Sequence, residues 1–389
     1  MAVYVGRHGS PFAVSLVYTM FWAGMMVFSP IWGAIADITG RRRMVLSGTA
    51  LLATLAAAPL VLVNDVWSMI GVRGLFAVFA AGFLPVMLTV VNQRGGTSTR
   101  GRSLGFFNSA TAVGLMAGQF FSGVLLGVFS PERVFLIVTG VSALVIVATG
   151  FVHDSTPDPC EPPTVSIILG EIRDRLFLGA DDAANLRRNG IRWLYVAVLL
   201  RNMTVLGMSG LLPVYLITRV NVSAFLMGIL LTINPLAQII FMYLLGRLSD
   251  VTGRKPLIVG GAVASGVYAL VFSLATLPST LVGRVVIVTI GFLILAGGFS
   301  ALMTGTIAFI GDIAPSDRES ELIGFRQTAR GLGGTIGLVI LGLIATVTNY
   351  SIAFAAGSLL AFTAAATVAY HLVESHPDAT LGNPLAIRK

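Results

Sequence analysis

The chain has 389 residues, of which 56% are hydrophobic and only 11% charged, with a mean hydropathy of +0.89. Soluble domains carry about 25% charged residues, so this composition excludes a water-soluble fold and predicts a chain embedded in a membrane. The net charge of +8 does not indicate nucleic-acid binding, because basic residues of a membrane protein report first which loops face the cytoplasm. The single Cys160 excludes an intrachain disulfide, and we expect neither a metal nor a cofactor.

Apolar windows long enough to cross a bilayer, which takes about 20 helical residues, recur along the chain. We predict five spans in its first part, near residues 12–36, 45–63, 67–92, 104–128 and 134–152. After an interruption we predict six more, near residues 192–218, 223–245, 257–276, 280–309, 322–347 and 350–372. These runs are too long for barrel strands, so the expected fold class is all-α, a polytopic membrane protein.

The interruption divides the chain into two predicted domains. Residues 1–152 form an N-terminal bundle of five spans, and residues 192–389 form a C-terminal bundle of six. Residues 153–191 form the linker between them, which opens with the proline-rich segment P-D-P-C-E-P-P. Proline clusters of this kind are typical of a hinge or loop.

Basic residues in the loops set the predicted orientation. Nearly all loop Lys and Arg residues fall on one side of the membrane, and only Arg7, Arg133 and Arg219 fall on the other. Cytoplasmic loops carry the excess of positive charge, so we predict a cytoplasmic C-terminus. With eleven spans, the N-terminus then lies outside.

Two sequence patterns recur in both halves. The segment G-A-I-A-D-I-T-G-R-R at 33–42 reappears as G-R-L-S-D-V-T-G-R-K at 246–255, an offset of 213 residues. A glycine pattern recurs at an offset of 219 residues, with Gly105, Gly114, Gly118 and Gly123 matching Gly324, Gly333, Gly337 and Gly342. Two patterns at nearly one offset indicate a duplication, as in transporters whose two helical bundles enclose a pathway.

The repeated loop motif has the form G-x-x-x-D-x-x-G-R-[KR]. Its first glycine allows close helix contact, its second suits a left-handed helix stop, and its aspartate accepts hydrogen bonds at the helix end. Its basic residues hold the loop in the cytoplasm. The motif comprises Gly33, Asp37, Gly40, Arg41 and Arg42 in the first copy, and Gly246, Asp250, Gly253, Arg254 and Lys255 in the second.

This paired motif resembles that of the major facilitator superfamily, and the resemblance covers essentially the whole chain. It implies two six-helix bundles that work by alternating access, with Asp37 and Arg41 in a charge network that latches the halves on the cytoplasmic side. In that family the motif follows the second helix of each half, but only one span precedes residue 33 here. We therefore expect that the first of twelve helices is missing, through a mis-called start or truncation. A native eleven-span protein is the alternative.

Two further patterns resemble motifs of proton antiporters in this family. The glycine pattern at 105–123 is similar to the fifth-helix antiporter motif, although Gln119 replaces a proline and Ser122 a glycine. The spacing R-x11-P from Arg73 to Pro85 resembles the fourth-helix motif, whose arginine is linked to proton coupling. The resemblance favours export by antiport. The alternatives are close helix packing for the glycines and a structural clamp for Arg73.

Charged residues inside spans are costly and therefore point to function. At 1.5 Å per residue, Arg73 lies about 9 Å into its span and Arg201 about 14 Å, whereas no Asp or Glu lies deep in any span. Polar residues in the spans add hydrogen bonds to substrate or only bridge helices. The candidate substrate or coupling residues are Arg73, Arg201, Asn202, Asn108, Gln119, Asn234 and Gln238.

We predict a secondary active transporter of the cell membrane, monomeric in the lipid bilayer, that exports small organic molecules in exchange for protons. Uptake of a small anionic solute by symport is the alternative if the buried arginines bind substrate. A nontransporting sensor would usually need a sizeable soluble output domain, and the longest loop is the linker. No enzyme is expected, because the four histidines are scattered near span ends: His8, His153, His371 and His376.

Overall fold

A computed structural model describes residues 1–63, 65–94, 96–152, 188–314 and 319–375, and a few side chains within these ranges, such as those of Asn108 and Asp250, lie outside the description. Every regular element in the described ranges is a helix, which confirms the all-α class. Most of the predicted linker, including Cys160, falls outside the described residues.

The described part of the first half of the chain forms seven α-helices. They are α1 (Ala2–His8), α2 (Pro11–Thr39), α3 (Arg42–Ala57), α4 (Val66–Ala80), α5 (Phe83–Arg94), α6 (Gly96–Val128) and α7 (Pro131–Gly150). Helices α4 and α5 belong to one span, Val66–Val91, that is interrupted at Ala81 and Gly82. Pro85 has no N–H to donate to the carbonyl of Ala81, so the helix cannot continue its regular bonding there.

In the second half, the described residues form six α-helices. They are α8 (Ile191–Tyr215, extended by a π-helical turn at Leu216–Val220), α9 (Ala224–Thr252), α10 (Arg254–Leu274), α11 (Leu281–Ile313), α12 (Glu319–Val347) and α13 (Tyr350–His371). Side-chain caps fix three of the starts, because Ser223, Thr280 and Asn349 each accept a hydrogen bond from the backbone amide three residues on. Such caps satisfy amides that have no partner within the helix.

Eleven helical segments of the described chain are long and apolar enough to cross a membrane. They coincide with the eleven predicted spans, with differences of a few residues at the ends. Large apolar side chains such as Leu136, Ile240 and Leu359 lie on the outer surfaces of these helices, where lipid rather than water suits them. The protein is a multi-pass membrane protein.

The described contacts group the chain into two compact units. The N-terminal unit comprises Val17–Gly118 and Val124–Ala180, and the C-terminal unit comprises Met1–Leu16, Gln119–Gly123 and Asp181–Lys389. The first helix joins the C-terminal unit, since Gly6 of α1 lies against the side chain of Val214 on α8. The predicted domain boundaries at residues 152 and 192 stay a prediction.

A seam of glycines joins α8 to α12 in the C-terminal unit. A Cβ atom on Gly337 would overlap the backbone of Met203, and one on Gly333 would overlap the carbonyl oxygen of Leu199. From the other side, a Cβ on Gly207 would lie 2.8 Å from the backbone of Gly337. Helices in lipid associate through such close backbone approach, so this seam fixes the position of α8.

The other glycines of the predicted packing pattern differ in their surroundings. Gly123 faces the backbone of Gly228, and Gly342 faces the side chain of Ser15. Within the described residues, a Cβ atom would meet nothing within 4 Å at Gly114, Gly118 and Gly324. The local surroundings of Gly105 lie outside the description.

Replacing Gly337 by alanine tests the seam. Its methyl group has to displace the Met203 backbone, and overpacking of this kind costs about 1–3 kcal/mol. We expect Gly337→Ala to lower the Tm of the detergent-purified protein, measured by fluorescence-detected size exclusion after heating. Gly324→Ala is the matched control on the same helix, because its methyl group enters open space. Equal Tm values for the two variants would contradict the seam.

Candidate functional site

Two residues of the first copy of the loop motif contact each other. Gly40 has φ +67°, a left-handed conformation that glycine adopts without steric cost, and it separates α2 from α3. Asp37 at the end of α2 lies 3.9 Å from Arg42 at the start of α3, measured from Oδ1 to Nη2. Arg41 is the N-cap residue of α3. The described contact of Asp37 thus lies within the N-terminal unit.

The second copy of the motif is tied to distant parts of the chain. Gly253 has φ +91° and precedes α10. The carboxylate of Glu374, beyond the end of α13, accepts hydrogen bonds from the backbone amides of Arg254 and Lys255, at 2.9 and 3.0 Å. Nε of Arg254 donates to Asp312 at the end of α11, at 3.1 Å. A carboxylate at a helix N-terminus is favoured by the helix dipole.

Sequence reasoning missed Glu374 because it lies in a segment without a motif. The side chain of Asp250, the predicted partner within the motif, lies outside the description, and Gly246 has no atom within 4 Å of an added Cβ in the described chain. The contacts of Glu374 and Asp312 join α10, α11 and the segment after α13 at one end of the C-terminal unit.

Arg73 of α4 lies between aromatic rings in the N-terminal unit. Its Cζ atom is 4.4 Å from the ring centre of Phe21 on α2 and 5.0 Å from that of Phe76 on its own helix. Cation–π contacts at a desolvated site are worth about 2 kcal/mol, so these rings stabilise the charge where water is scarce. The arrangement suits both a structural clamp and a coupling residue.

Arg201 of α8 is 2% exposed. Its Nε donates to the hydroxyl of Ser265 at 2.9 Å, and its Nη1 lies 3.5 Å from the amide oxygen of Asn202, a weak contact. Asn202 itself donates to the carbonyl of Val198 on the same helix. The other terminal nitrogen of Arg201, Nη2, has no hydrogen-bond partner in the described part of the chain.

Two further arginines, which sequence reasoning missed, lie beside Arg201. Arg326 and Arg330 are one helical turn apart on α12 and therefore share a face. Two arginines at this spacing inside a predicted span are the sequence signal that could have identified them. Arg326 is 4% exposed, and its Nη1 also lacks a partner among the described residues. Together with Arg201 the two arginines line one small pocket, called the arginine pocket below. Its other lining residues are Val198, Asn202, Phe299, Leu302 and Met303.

The remaining candidate residues are distributed elsewhere. On α9, the side-chain nitrogen of Gln238 donates to the side-chain oxygen of Asn234 at 3.1 Å, one helical turn away. Oε1 of Gln119 is buried without a partner in the described chain. The side chain of Asn108 lies outside the description. Of the seven candidates, the structure therefore joins Arg201 to Asn202 and Asn234 to Gln238.

The chain is similar to known transporters along its length. A family model described as Major Facilitator Superfamily matches residues 1–295 and 219–386. The chain is 26% identical over 337 residues to the multi-drug resistance efflux pump PmrA homolog of Lactococcus lactis subsp. lactis, covering 85% of this chain and 78% of the relative. It is 24% identical over 361 residues to the multi-drug resistance efflux pump PmrA of Streptococcus pneumoniae serotype 4, covering 91% of this chain and 85% of the relative.

The fold is similar to that of a solved transporter. A mutant form of the nucleoside transporter NupG superimposes with a TM-score of 0.75 at 12% identity, covering 95% of this chain and 93% of that one. At this identity the likeness shows the shared fold alone.

Removing the carboxylate of Glu374 tests the junction at the start of α10. Loss of a helix N-cap costs about 0.5–2 kcal/mol, so we expect Glu374→Ala to lower the Tm of the purified protein. Glu374→Gln keeps one acceptor oxygen and should lie between the alanine variant and the unmodified protein. An alanine variant as stable as the unmodified protein would show that the junction contributes nothing to the fold.

Proposed function

Because this chain belongs to the major facilitator superfamily and is a membrane transporter rather than an enzyme, we propose that it exports small organic compounds in exchange for protons. Two relatives, both named as multi-drug resistance efflux pumps, support the direction of transport and the breadth of substrates. The observation that carries proton coupling is Arg73, a half-buried cation held against two aromatic rings in the R-x11-P pattern.

The chemistry of Arg73 defines what it can contribute to coupling. A guanidinium does not lose its proton in a protein, so Arg73 cannot carry the transported proton itself. A fixed positive charge favours the deprotonated form of any acid that comes near it, and so promotes release of the proton. The aromatic contacts keep this charge in place without neutralising it, which a carboxylate partner would do.

Uptake of a small anionic solute together with protons is the second candidate. The observation that favours it is the arginine pocket, where three positive charges meet without a carboxylate among the described neighbours. In this alternative Arg201 contacts substrate and Arg73 is a structural clamp. The two candidates differ in the charge of the compound that drives proton movement.

Inverted vesicles distinguish these candidates. With an acidified lumen, export activity predicts that added ethidium, a lipophilic cation, causes proton release from the lumen, measured with a pH-sensitive dye. We expect Arg73→Ala to reduce this release by about tenfold or more, equivalent to about 1.4 kcal/mol in the barrier. Arg73→Lys keeps the charge but loses the planar contact with the rings, and should have an intermediate rate.

The control for this experiment is Arg284→Lys. Arg284 donates to the carbonyl of Pro278 near the end of a span, so the same chemical change there should leave proton release unaltered. If benzoate but not ethidium drives proton movement, export is rejected and uptake of a small anionic solute is supported.

We also propose that the C-terminus lies in the cytoplasm. In this orientation the exposed Ser279, between α10 and α11, faces outward, and Cys160 of the linker faces the cytoplasm. A membrane-impermeant maleimide should therefore label Ser279→Cys in a Cys160→Ser background in intact cells. The native Cys160 should react only after permeabilisation. The reverse labelling pattern would invert the proposed topology.

A further inference from the structure

The arginine pocket brings three guanidinium groups of the C-terminal unit together. Arg201 comes from α8, and Arg326 and Arg330 come from α12. The glycine seam between these helices lets the two backbones approach closely, so the arginines are held near one another by the packing of the fold. Like charges at short range repel, and burial removes the water that would screen them.

Some N–H donors of these arginines have no hydrogen-bond acceptor among the described residues. Each guanidinium has five N–H donors and no acceptor. Arg326 donates from Nε to the hydroxyl of Thr306 at 2.9 Å and from Nη2 to the sulfur of Met303 at 2.7 Å. A thioether is a weak acceptor, so the second contact is a poor substitute for an oxygen. Nη1 of Arg326 and Nη2 of Arg201 have no partner in the described structure.

Among the described residues, no carboxylate lines the arginine pocket. Every Asp and Glu of the sequence lies in a loop or close to the end of a span. An unpaired buried charge is among the least favourable features of a fold. An arginine does not avoid the free-energy cost of burial by losing its proton, because its guanidinium stays protonated in proteins. A negatively charged molecule from outside the chain would neutralise the pocket.

We propose that the arginine pocket binds the oxyanion of a small organic anion, such as a carboxylate. Arg201 and Arg326 donate to its oxygens from the unpartnered nitrogens, and Arg330 supplies a third positive charge. Charge-assisted bonds from guanidinium groups to a carboxylate are short and strong. This proposal rests on the transport function and names a substrate class for it.

The rest of the pocket favours an organic anion over an inorganic one. Phe299, Leu302, Met303 and Val198 supply apolar walls directly beside the donors. The ring of Phe299 lies 5.6 Å from Cζ of Arg201. A ligand with one charged end and an apolar body fills both parts, which is how small-molecule sites usually divide affinity and orientation.

In this conformation the pocket is nearly closed, with a cavity volume of about 10 Å³, the space of a single water. Met303 is the side chain whose movement opens it. Methionine is unbranched and adapts readily to new neighbours. An arriving oxygen replaces its sulfur as the acceptor for Arg326, a better hydrogen bond in exchange for a weak one.

Ligand pairs that differ in charge test this proposal without any mutation. We expect benzoate to raise the Tm of the purified protein by about 2 °C or more at saturating concentration, and benzamide, which has the same ring but no charge, to leave it unchanged. Chloride and phosphate at matched ionic strength should have little effect. A stabilisation by chloride or phosphate alone would overturn the organic-anion assignment in favour of a resident inorganic ion.

Two variants test whether benzoate stabilises the protein by binding in the arginine pocket. Arg330→Gln removes one charge at a half-buried position. We expect it to raise the Kd for benzoate, taken from the dependence of the Tm on benzoate concentration, by about tenfold or more. Arg284→Gln makes the same change at an arginine outside the pocket and should keep the response. Equal Tm shifts with benzoate and benzamide, or an unaltered benzoate response in Arg330→Gln, would overturn the proposal.

The ethidium assay in vesicles separates this proposal from the proposed function. Ethidium-driven proton release by the unmodified protein, with no stabilisation by benzoate, would leave export standing and overturn the anion site. Benzoate stabilisation without ethidium-driven release would support the anion site and reject export of ethidium in exchange for protons.

Discussion

The absence of water in the bilayer core is the constraint on which this structure depends. A backbone amide in hydrocarbon must bond within its own segment, so each long apolar window of the sequence becomes a helix. Burial from water does not hold such helices together, because lipid is as apolar as their side chains. Close approach and interhelical hydrogen bonds do so instead. Helix α8 has both, since it meets α12 along the glycine seam and Thr204 donates to the carbonyl of Gly357 on α13.

The same constraint makes the partners of each buried charge informative. Arg73 is covered by two aromatic rings, which stabilise a cation without consuming its hydrogen-bond donors. Arg201 and Arg326 keep terminal nitrogens without partners in the described chain, although both side chains are almost fully buried. A fold that tolerates such a cost at one place has a use for it there, because replacing the charge with an apolar residue would be the simpler solution.

Much of the fold and part of the site could be predicted from the sequence. Hydropathy is a local signal averaged over many residues, so the spans are confirmed with differences of a few residues, whereas the interruption at Ala81 and Gly82 within one span was not expected. Arg201 was identified by its depth. Arg330, about 12 Å into its span, was missed, because its importance depends on α8 and α12 being neighbours. Likewise, no local pattern relates Glu374 to α10, from whose first residue it is separated by 120 positions.

The repeated sequence patterns predict a duplication, but the described side-chain contacts differ between the two halves. The first loop motif pairs Asp37 with Arg42 five residues away, whereas Arg254 of the second copy pairs with Asp312 on another helix. The deep charges have diverged further, with one shielded arginine in the N-terminal unit and the arginine pocket in the C-terminal unit. A shared scaffold constrains how a transporter moves, but its side chains decide what it binds. Likeness to efflux pumps therefore bears on the transport cycle, and the proposed anion site in the arginine pocket bears on the compound carried.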